Sequence, residues 1–346
     1  MTEEKHMKVA VYYRNDDIRI EQRQIPSISD HELLVKMKAC GICGTDVMEW
    51  YRVKKAPRVL GHEMTGEILN TGKHVERFQK GDRVFVSHHV PCYTCHYCLQ
   101  GAYTACDSLH IGNYDPGGFS EFIRIPEANV RHGTFLLSTG LTYEDGTMIE
   151  PVACAVAGQN LLGLKERQTV LIIGSGVSGI LHIQLSKIKG TKVIATDINE
   201  YRMNKAVDFG ADRVIDARKY SPNVLKNMND NRLADAVIVC TAVKQAIDSA
   251  LVSVDRKGKI LFFAVPETDM KIPAPSFWRD EITLLFSYGA APGDLQKAMQ
   301  LIESKTINIR KMITQRVPFS SIMHGFQLVS DAKESLKVVV VPDKEG

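Results

Sequence analysis

Cys92, Cys95, Cys98 and Cys106 stand in the pattern C-x2-C-x2-C-x7-C, four thiols within fifteen residues. Thiolates suit Zn²⁺, and four of them fill its tetrahedral shell, so this spacing predicts a closed site that braces a lobe and does no chemistry. A disulfide cluster would need an oxidising compartment, and unrelated buried cysteines have no reason to be regularly spaced. A second metal-capable set is dispersed. Gly41-Ile42-Cys43-Gly44-Thr45-Asp46 and Gly61-His62-Glu63 place a thiolate and an imidazole among glycines that let backbone come close. With a later carboxylate, Cys43 and His62 would hold an open zinc, because three protein ligands leave one position for water or substrate. Glu150, followed by Pro151 and twenty-four residues before Gly174, is the expected third ligand, with Cys154 as its competitor. Singly, a Cys or His is more often a packed core residue than a ligand. The conjunction carries the reading.

Gly174-Ser175-Gly176-Val177-Ser178-Gly179 follows the apolar run Val170 to Ile173 and opens a helical stretch through Ile188. A G-x-G-x-x-G alone says little; a strand before it, a helix after it and an acid ending the next strand give it meaning. Gly174 permits the tight turn, Gly176 lets the backbone approach a pyrophosphate and Gly179 lets the helix pack closely. The amides of Val177 and Ser178 would then donate to phosphate at the helix start. Asp197, ending the strand candidate Thr191 to Thr196, would accept from the adenosine ribose hydroxyls and repel a 2′-phosphate, which favours NAD over NADP. Arg202 either stacks on adenine or covers the helix surface, and its position would tolerate a phosphate. Thr241, Val265 and Tyr288 complete the expected cofactor contacts. The bland alternative is a glycine turn that packs a helix and binds nothing.

Two kinds of element must position these groups. Through residue 150 the chain reads as short strands broken by Gly and Pro, such as Glu32 to Ala39, Gly66 to Leu69, Arg83 to Val86 and Phe119 to Ile125, which suggests an antiparallel barrel-like domain. From about residue 155 the rhythm becomes strand, glycine turn, helix, strand, the alternation of a parallel sheet covered by helices. Arg213 to Ile215, Ala236 to Val239, Lys259 to Val265 and Ile282 to Phe286 bring the strand candidates there to six, the count of a doubly wound dinucleotide fold. An amphipathic helix, Asp294 to Ser304, and the apolar run Val338 to Val341 would return to the first domain.

At 346 residues, two domains are expected. Apolar residues at 44% and charged residues at 24% argue against disorder. A net charge of +3 supplies no field that would favour nucleic acid or a membrane surface. The polar start, Met1 to Met7, and the lack of any eighteen-residue apolar run predict a cytoplasmic protein with reduced thiols. Cys40, Cys154 and Cys240 are then expected to be core residues.

Taken together, CGTD at 43–46, GHE at 61–63, the four-cysteine knot, GGFSEF at 117–122 and GSGVSG at 174–179 resemble the zinc-dependent medium-chain dehydrogenases over nearly the whole chain. Glu150-Pro151 is similar to the sorbitol, threonine and galactitol-phosphate dehydrogenase branch. The resemblance implies an α/β chain in which a GroES-like β-barrel catalytic domain, residues 1–154 and 290–346 with a structural-zinc lobe at about 88–110, is interrupted by a Rossmann domain at 155–289. It implies catalytic zinc on Cys43, His62 and Glu150, with Glu63 as exchangeable ligand or neighbour, Asp46 orienting a ligand, and Thr45 holding the alcohol and passing its proton outward. It further implies two zinc ions per subunit, NAD, a small alcohol or ketone as substrate, and a homodimer or homotetramer. Hydride would pass between a secondary alcohol, such as a polyol or hydroxy acid, and nicotinamide C4.

Two departures bear on the substrate. Met48 stands where relatives often carry a proton-relaying histidine, and Phe286-Ser287-Tyr288 lacks an arginine that sorbitol dehydrogenases tend to show there. Conversely, Arg52, Lys54, Lys55 and Arg58 cluster between Cys43 and His62. They form either a solvated basic loop or a steering patch for an anionic alcohol. The competing functions are an NADP-dependent reductase of the same family, a zinc-free enoyl or quinone reductase, and a non-catalytic NAD sensor.

Overall fold

In the computed structural model, residues 6–344 are described; the polar start of the chain lies outside them except for His6 and Met7. The chain divides into two compact units, one running to Pro151 and resuming at Ala291, the other spanning Val152–Ala290. Contacts thus place the first junction three residues before the one read from sequence, within the helix Ile149–Leu162, and the second one residue after it.

The first unit begins with β1 (His6–Arg14), β2 (Asp17–Gln24), β3 (Leu33–Ile42), β4 (Arg58–Val59), β5 (Glu63–Thr71), β6 (Arg83–Ser87), β7 (Phe122–Ile125) and β8 (Thr134–Leu136). β1 pairs antiparallel with β2 and β4, and β3 with β5 and β7. β6 lies between β5 and β8. Val35, Met37 and Ala39 of β3 are buried while Lys36 and Lys38 between them reach outward, the period of two that a pleated strand imposes. Val9, Val11, Met64, Ile68, Val84, Val86, Phe119 and Phe326 fill the core. Each large side chain so buried contributes about 1.5–3 kcal/mol.

The second unit holds β9 (Thr169–Ile173), β10 (Lys192–Asp197), β11 (Arg213–Asp216), β12 (Ala234–Val239), β13 (Val254–Phe262) and β14 (Thr283–Phe286). They form one sheet in the order β11-β10-β9-β12-β13-β14 with every pair parallel, the doubly wound order. Because helices cover both faces of such a sheet, its strands are continuous apolar runs, as in Val170-Leu171-Ile172, all fully buried. All six strand candidates exist, but β13 begins five residues before Lys259 and ends at Phe262, leaving Val265 beyond it. The polar run Asp255-Arg256-Lys257-Gly258 hides that entry: Lys257 takes φ 58°, and the register against β12 shifts there.

After β14 the chain returns to the first unit through the helix Pro292–Glu303 and adds β15 (Ile313–Pro318) and β16 (Lys337–Val341). β16 pairs parallel with β15 and antiparallel with β3, Val339 facing Gly41. Arg310 fixes this return: its Nε and Nη2 donate to the buried Asp145 carboxylate at 2.7–3.1 Å. Among the described residues no helix is long and apolar enough to cross a membrane.

One buried group in the second unit makes its stability depend on pH. His182, fully buried on the helix Val177–Ile188, packs edge-on to Phe263 with centroids 4.6 Å apart, and its Nε2 has no partner. Burial pulls its pKa from 6.5 to about 3. Between those values the unfolded chain binds a proton the folded chain refuses, so stability is complete above pH 6.5 and falls on acidification. At pH 5 the loss is about 2 kcal/mol. Urea unfolding at pH 7 and pH 5 checks this: His182→Gln, which cannot titrate, is expected to remove most of the difference. An unchanged difference would assign it to other groups.

Candidate metal and cofactor sites

In the first unit the four knot thiols lie within 4.8 Å of one another, and all eight cysteines of the chain are free. Cys92 Sγ is 3.9 Å from Cys98 Sγ, too far for a disulfide. Cys92 Sγ accepts the Cys95 amide at 3.2 Å, and Cys106 Sγ accepts the Cys92 amide at 3.3 Å. Hydrogen bonds from the Thr94 hydroxyl and amide and from Cys95 pull the Cys92 thiol down to about 5, while burial pushes Cys98 up to about 12. Among the described residues, only Leu109 adds a fully buried apolar side chain to the cluster around these sulfurs, with Tyr103 partly packed against it. Apolar burial this small cannot hold a lobe by itself, so the donor set fits a structural metal.

The second cluster is assembled by strand pairing. Cys43 follows β3 and caps the tight turn Gly44–Val47, accepting the Thr45 amide while Asp46 accepts the Cys43 amide at 3.1 Å. Glu63 opens β5 opposite Gly41 of β3, which carries His62 to the same end. Donor atoms of Cys43, His62 and Glu63 lie within 4.8 Å of one another. Asp46, fully buried, sets Oδ1 3.5 Å from His62 Nδ1, an arrangement that fixes the ring and leaves Nε2 to a metal. Burial opposes charge on His62, yet Asp46 and the Cys43 sulfur outweigh it and hold its pKa well above 6.5. A field strong enough to keep that proton against desolvation is one that favours a cation, so these residues fit zinc. Burial likewise opposes the Asp46 charge, and His62 and Arg52 more than compensate, keeping its pKa low.

Glu63 is buried and ion-paired with Lys337 at the start of β16, whose Nζ also donates to the Ile42 carbonyl at 3.2 Å. Burial resists the Lys337 charge, but Glu63 holds its pKa above the ordinary 10.5. Gly41 is required here, because a β-carbon would run into the Glu63 carboxylate and the Lys337 side chain. Glu150 falls outside the grouped donors but acts by charge on Glu63, Lys337 and Tyr114. Cys154 joins neither grouped set and is half-buried, as is Cys240, whereas Cys40 is core. Thr45 Oγ1 donates to Cys43 Sγ at 3.3 Å and accepts from Arg52 Nη2 at 2.9 Å.

In the second unit the glycine loop has the predicted build. The helix Val177–Ile188 starts at Gly176 with no side chain capping it, so the amides of its first turn remain for an anion. A β-carbon at Gly179 would strike the Gly174 carbonyl. Asp197 accepts the Ser175 amide at 2.7 Å and the Asn199 amide at 2.9 Å, which pins the carboxylate beside the loop. The Arg202 guanidinium lies 3.7 Å from where a Gly176 β-carbon would stand, and its buried Nε has no partner. The Thr241 β-carbon is 3.4 Å from a β-carbon built on Gly174. Ser178 hydrogen-bonds the Cys240 thiol, which burial pushes up to about 12. Val265 and Tyr288 are 40% and 45% exposed.

Sequence reasoning missed Lys337, Tyr114 and His88. A lysine opening an apolar run reads as a solvated strand end; only the β16–β3 pairing turns it toward Glu63. Tyr114 is buried with its hydroxyl unpartnered, in electrostatic range of Glu150, Glu63 and Asp46. The His88 ring centre is 5.0 Å from that of His62, and its buried Nδ1 has no partner. Neighbouring histidines at 88 and 89 were the available signal.

Two family models match: the alcohol dehydrogenase GroES-like domain over residues 29–133 and the zinc-binding dehydrogenase over residues 178–304. The chain is 31% identical to an L-threonine 3-dehydrogenase of Bacillus licheniformis, covering 92% of this chain and 93% of that protein. It is 28% identical to L-galactonate-5-dehydrogenase of Escherichia coli strain K12, covering 96% and 98%. Two solved structures, each 26% identical and covering 97% of this chain and 99% of theirs, hold different cofactors. A zinc-binding dehydrogenase of Sinorhizobium meliloti 1021 (TM-score 0.85) is bound to NADP, and an alcohol dehydrogenase of Escherichia coli CFT073 (TM-score 0.88) to NADH. With a GroES-like domain, a Rossmann sheet and relatives of this kind across its length, the chain belongs to the zinc-dependent medium-chain alcohol and polyol dehydrogenases, oxidoreductases of secondary alcohols.

Proposed function

We propose that this protein oxidises a small secondary alcohol with NAD, using one zinc ion held by Cys43, His62 and Glu150 and a second, structural zinc on Cys92, Cys95, Cys98 and Cys106. The meeting of the Cys43 and His62 donors, with Asp46 set against the His62 ring, is the observation that carries this reading. Glu63 is paired with Lys337, and drawing it onto a metal would leave a buried ammonium beside a cation, at a cost of several kcal/mol. We therefore take Glu150 as the third ligand, its charge reaching Glu63 and Lys337, while Glu63 stays paired with Lys337. Bound zinc supplies Lewis acidity that lowers the alcohol's pKa. Thr45 receives the alcohol's proton at Oγ1, where Arg52 occupies one lone pair and fixes the hydroxyl's direction. As it does so Thr45 must release its own hydroxyl proton, which in this structure points at Cys43 Sγ and would have to turn to solvent, because neither Met48 nor the permanently charged Arg52 can take it.

The pinned Asp197 carboxylate supports NAD, since a 2′-phosphate beside it would meet like charge. Arg202 over Gly176 is the feature that favours NADP. One assay tests both points. With the zinc-loaded protein, NADH absorbance is followed across secondary alcohols, diols, polyols and hydroxy acids, with NAD and NADP compared for each. The expectation is turnover with a kcat/KM for NAD about 100-fold or more above NADP. A preference for NADP would overturn the Asp197 argument.

A cytoplasmic setting, where thiols stay reduced, belongs to this reading and would keep the four knot cysteines available to a metal. A homodimer or homotetramer accompanies this reading: β14 is the sheet's edge strand, with Phe286 58% exposed and Trp278 near it in sequence 85% exposed.

A further inference from the structure

The basic stretch after Cys43 is not one solvated loop. Lys54 and Lys55 are exposed, whereas Arg52 and Arg58 are half-buried. Arg52, its side chain 17% exposed, donates from Nε to the Thr45 carbonyl at 2.9 Å, and from Nη2 to Thr45 Oγ1 at 2.9 Å and Asp46 Oδ1 at 3.3 Å. Its Nη1 donates to nothing among the described residues. Arg58 sits on β4, opposite Tyr12 of β1. It makes no ion pair or side-chain hydrogen bond among the described residues, although it lies in electrostatic range of Arg52, Tyr51 and Asp46.

Charge does not balance here. Among the described residues Asp46 is the one carboxylate in range of both guanidinia, and it already faces His62 and accepts the Cys43 amide. Glu49, next along the chain, is turned to the Asn15 amide. A half-buried, unpaired guanidinium in range of a second one is partly desolvated at some cost, and burial followed by Arg52 repulsion pulls the Arg58 pKa below its usual 12.5. A planar donor fork in that state matches a carboxylate or phosphate. Thr45 Oγ1 links Arg52 to the metal-capable cluster, 2.9 Å from Arg52 Nη2 and 3.3 Å from Cys43 Sγ, so an anion on the free edge of Arg52 would stand near that cluster, with Arg58 in electrostatic range.

We propose that Arg58, with the free edge of Arg52, binds a negatively charged group of the substrate, so that the alcohol oxidised is an anionic secondary alcohol, a hydroxy acid or a phosphorylated polyol. This rests on the alcohol dehydrogenase reading and names its substrate class. The test compares gluconate, its neutral counterpart sorbitol, and sorbitol 6-phosphate with zinc-loaded wild type, Arg58→Ala, Arg58→Lys and Lys55→Ala. In wild type one anionic substrate has the higher kcat/KM, and the arm that wins identifies carboxylate or phosphate. Arg58→Ala lowers the ratio of anionic to neutral kcat/KM by roughly 10- to 100-fold, chiefly through KM. Arg58→Lys recovers part of it, added salt lowers it, and Lys55→Ala leaves it alone. Preference for sorbitol over both anions, or an unchanged ratio in Arg58→Ala, overturns the subsite while leaving the dehydrogenase reading intact. If none of the three yields NADH, titration calorimetry of gluconate and sorbitol 6-phosphate decides. Binding weakened by Arg58→Ala supports the subsite, and equal or absent binding overturns it.

Discussion

Cys43→Ala is expected to lower kcat by about a thousandfold or more while the affinity for NADH, measured by fluorescence titration, stays within about twofold. Lewis-acid stabilisation of developing charge is worth several kcal/mol, and each 1.4 kcal/mol is tenfold in rate. The substitution removes the thiolate that lies within 4.8 Å of the His62 and Glu63 donors and that receives the Thr45 hydroxyl at 3.3 Å. The glycine loop belongs to the other compact unit, so its amides and Asp197 are expected to keep their geometry. Metal analysis should fall from two zinc ions per subunit to one. Retained turnover with both zinc ions present would show that Cys43 is not a ligand. Lost NADH affinity would show that the substitution acted through the fold.

Cys95→Ala is expected to act in the opposite sense. The four thiols are grouped around a core of little more than Leu109, so a metal bound there would be what holds the lobe. Losing a bound metal belongs to the few single changes that cost about 4 kcal/mol or more. That corresponds to a fall in Tm of roughly 8–16 °C, with one zinc ion lost and kcat reduced far less than in Cys43→Ala. Differential scanning calorimetry with metal analysis checks it. If Cys95→Ala abolished turnover at unchanged Tm while Cys43→Ala only lowered Tm, the two sites would have been assigned the wrong way round.

The predicted parts of the fold share one property: their signal is local. The alternation after residue 155 is carried by contiguous apolar runs and a glycine loop, and six strand candidates became the six strands of a parallel sheet. The cysteine knot is equally local, since fifteen residues suffice to bring four sulfurs together. Where local chemistry misleads, the reading slipped: the polar run Asp255 to Gly258 hid the start of β13.

The composition of the open site lay in the sequence only as a list of candidates. Which carboxylate stands nearest Cys43 and His62 depends on the register of β3 against β5, which sets Glu63 opposite Gly41. Whether that carboxylate is available depends on Lys337, separated from it by 274 residues and delivered by the β16–β3 pairing. The basic stretch had one meaning as letters and two in space, exposed lysines and half-buried arginines. The sequence by itself determined which donors, loops and strands exist, because their patterns are read over a few residues. Tertiary structure decided which charges meet, because ion pairing and burial are set by long-range strand register that no local pattern encodes.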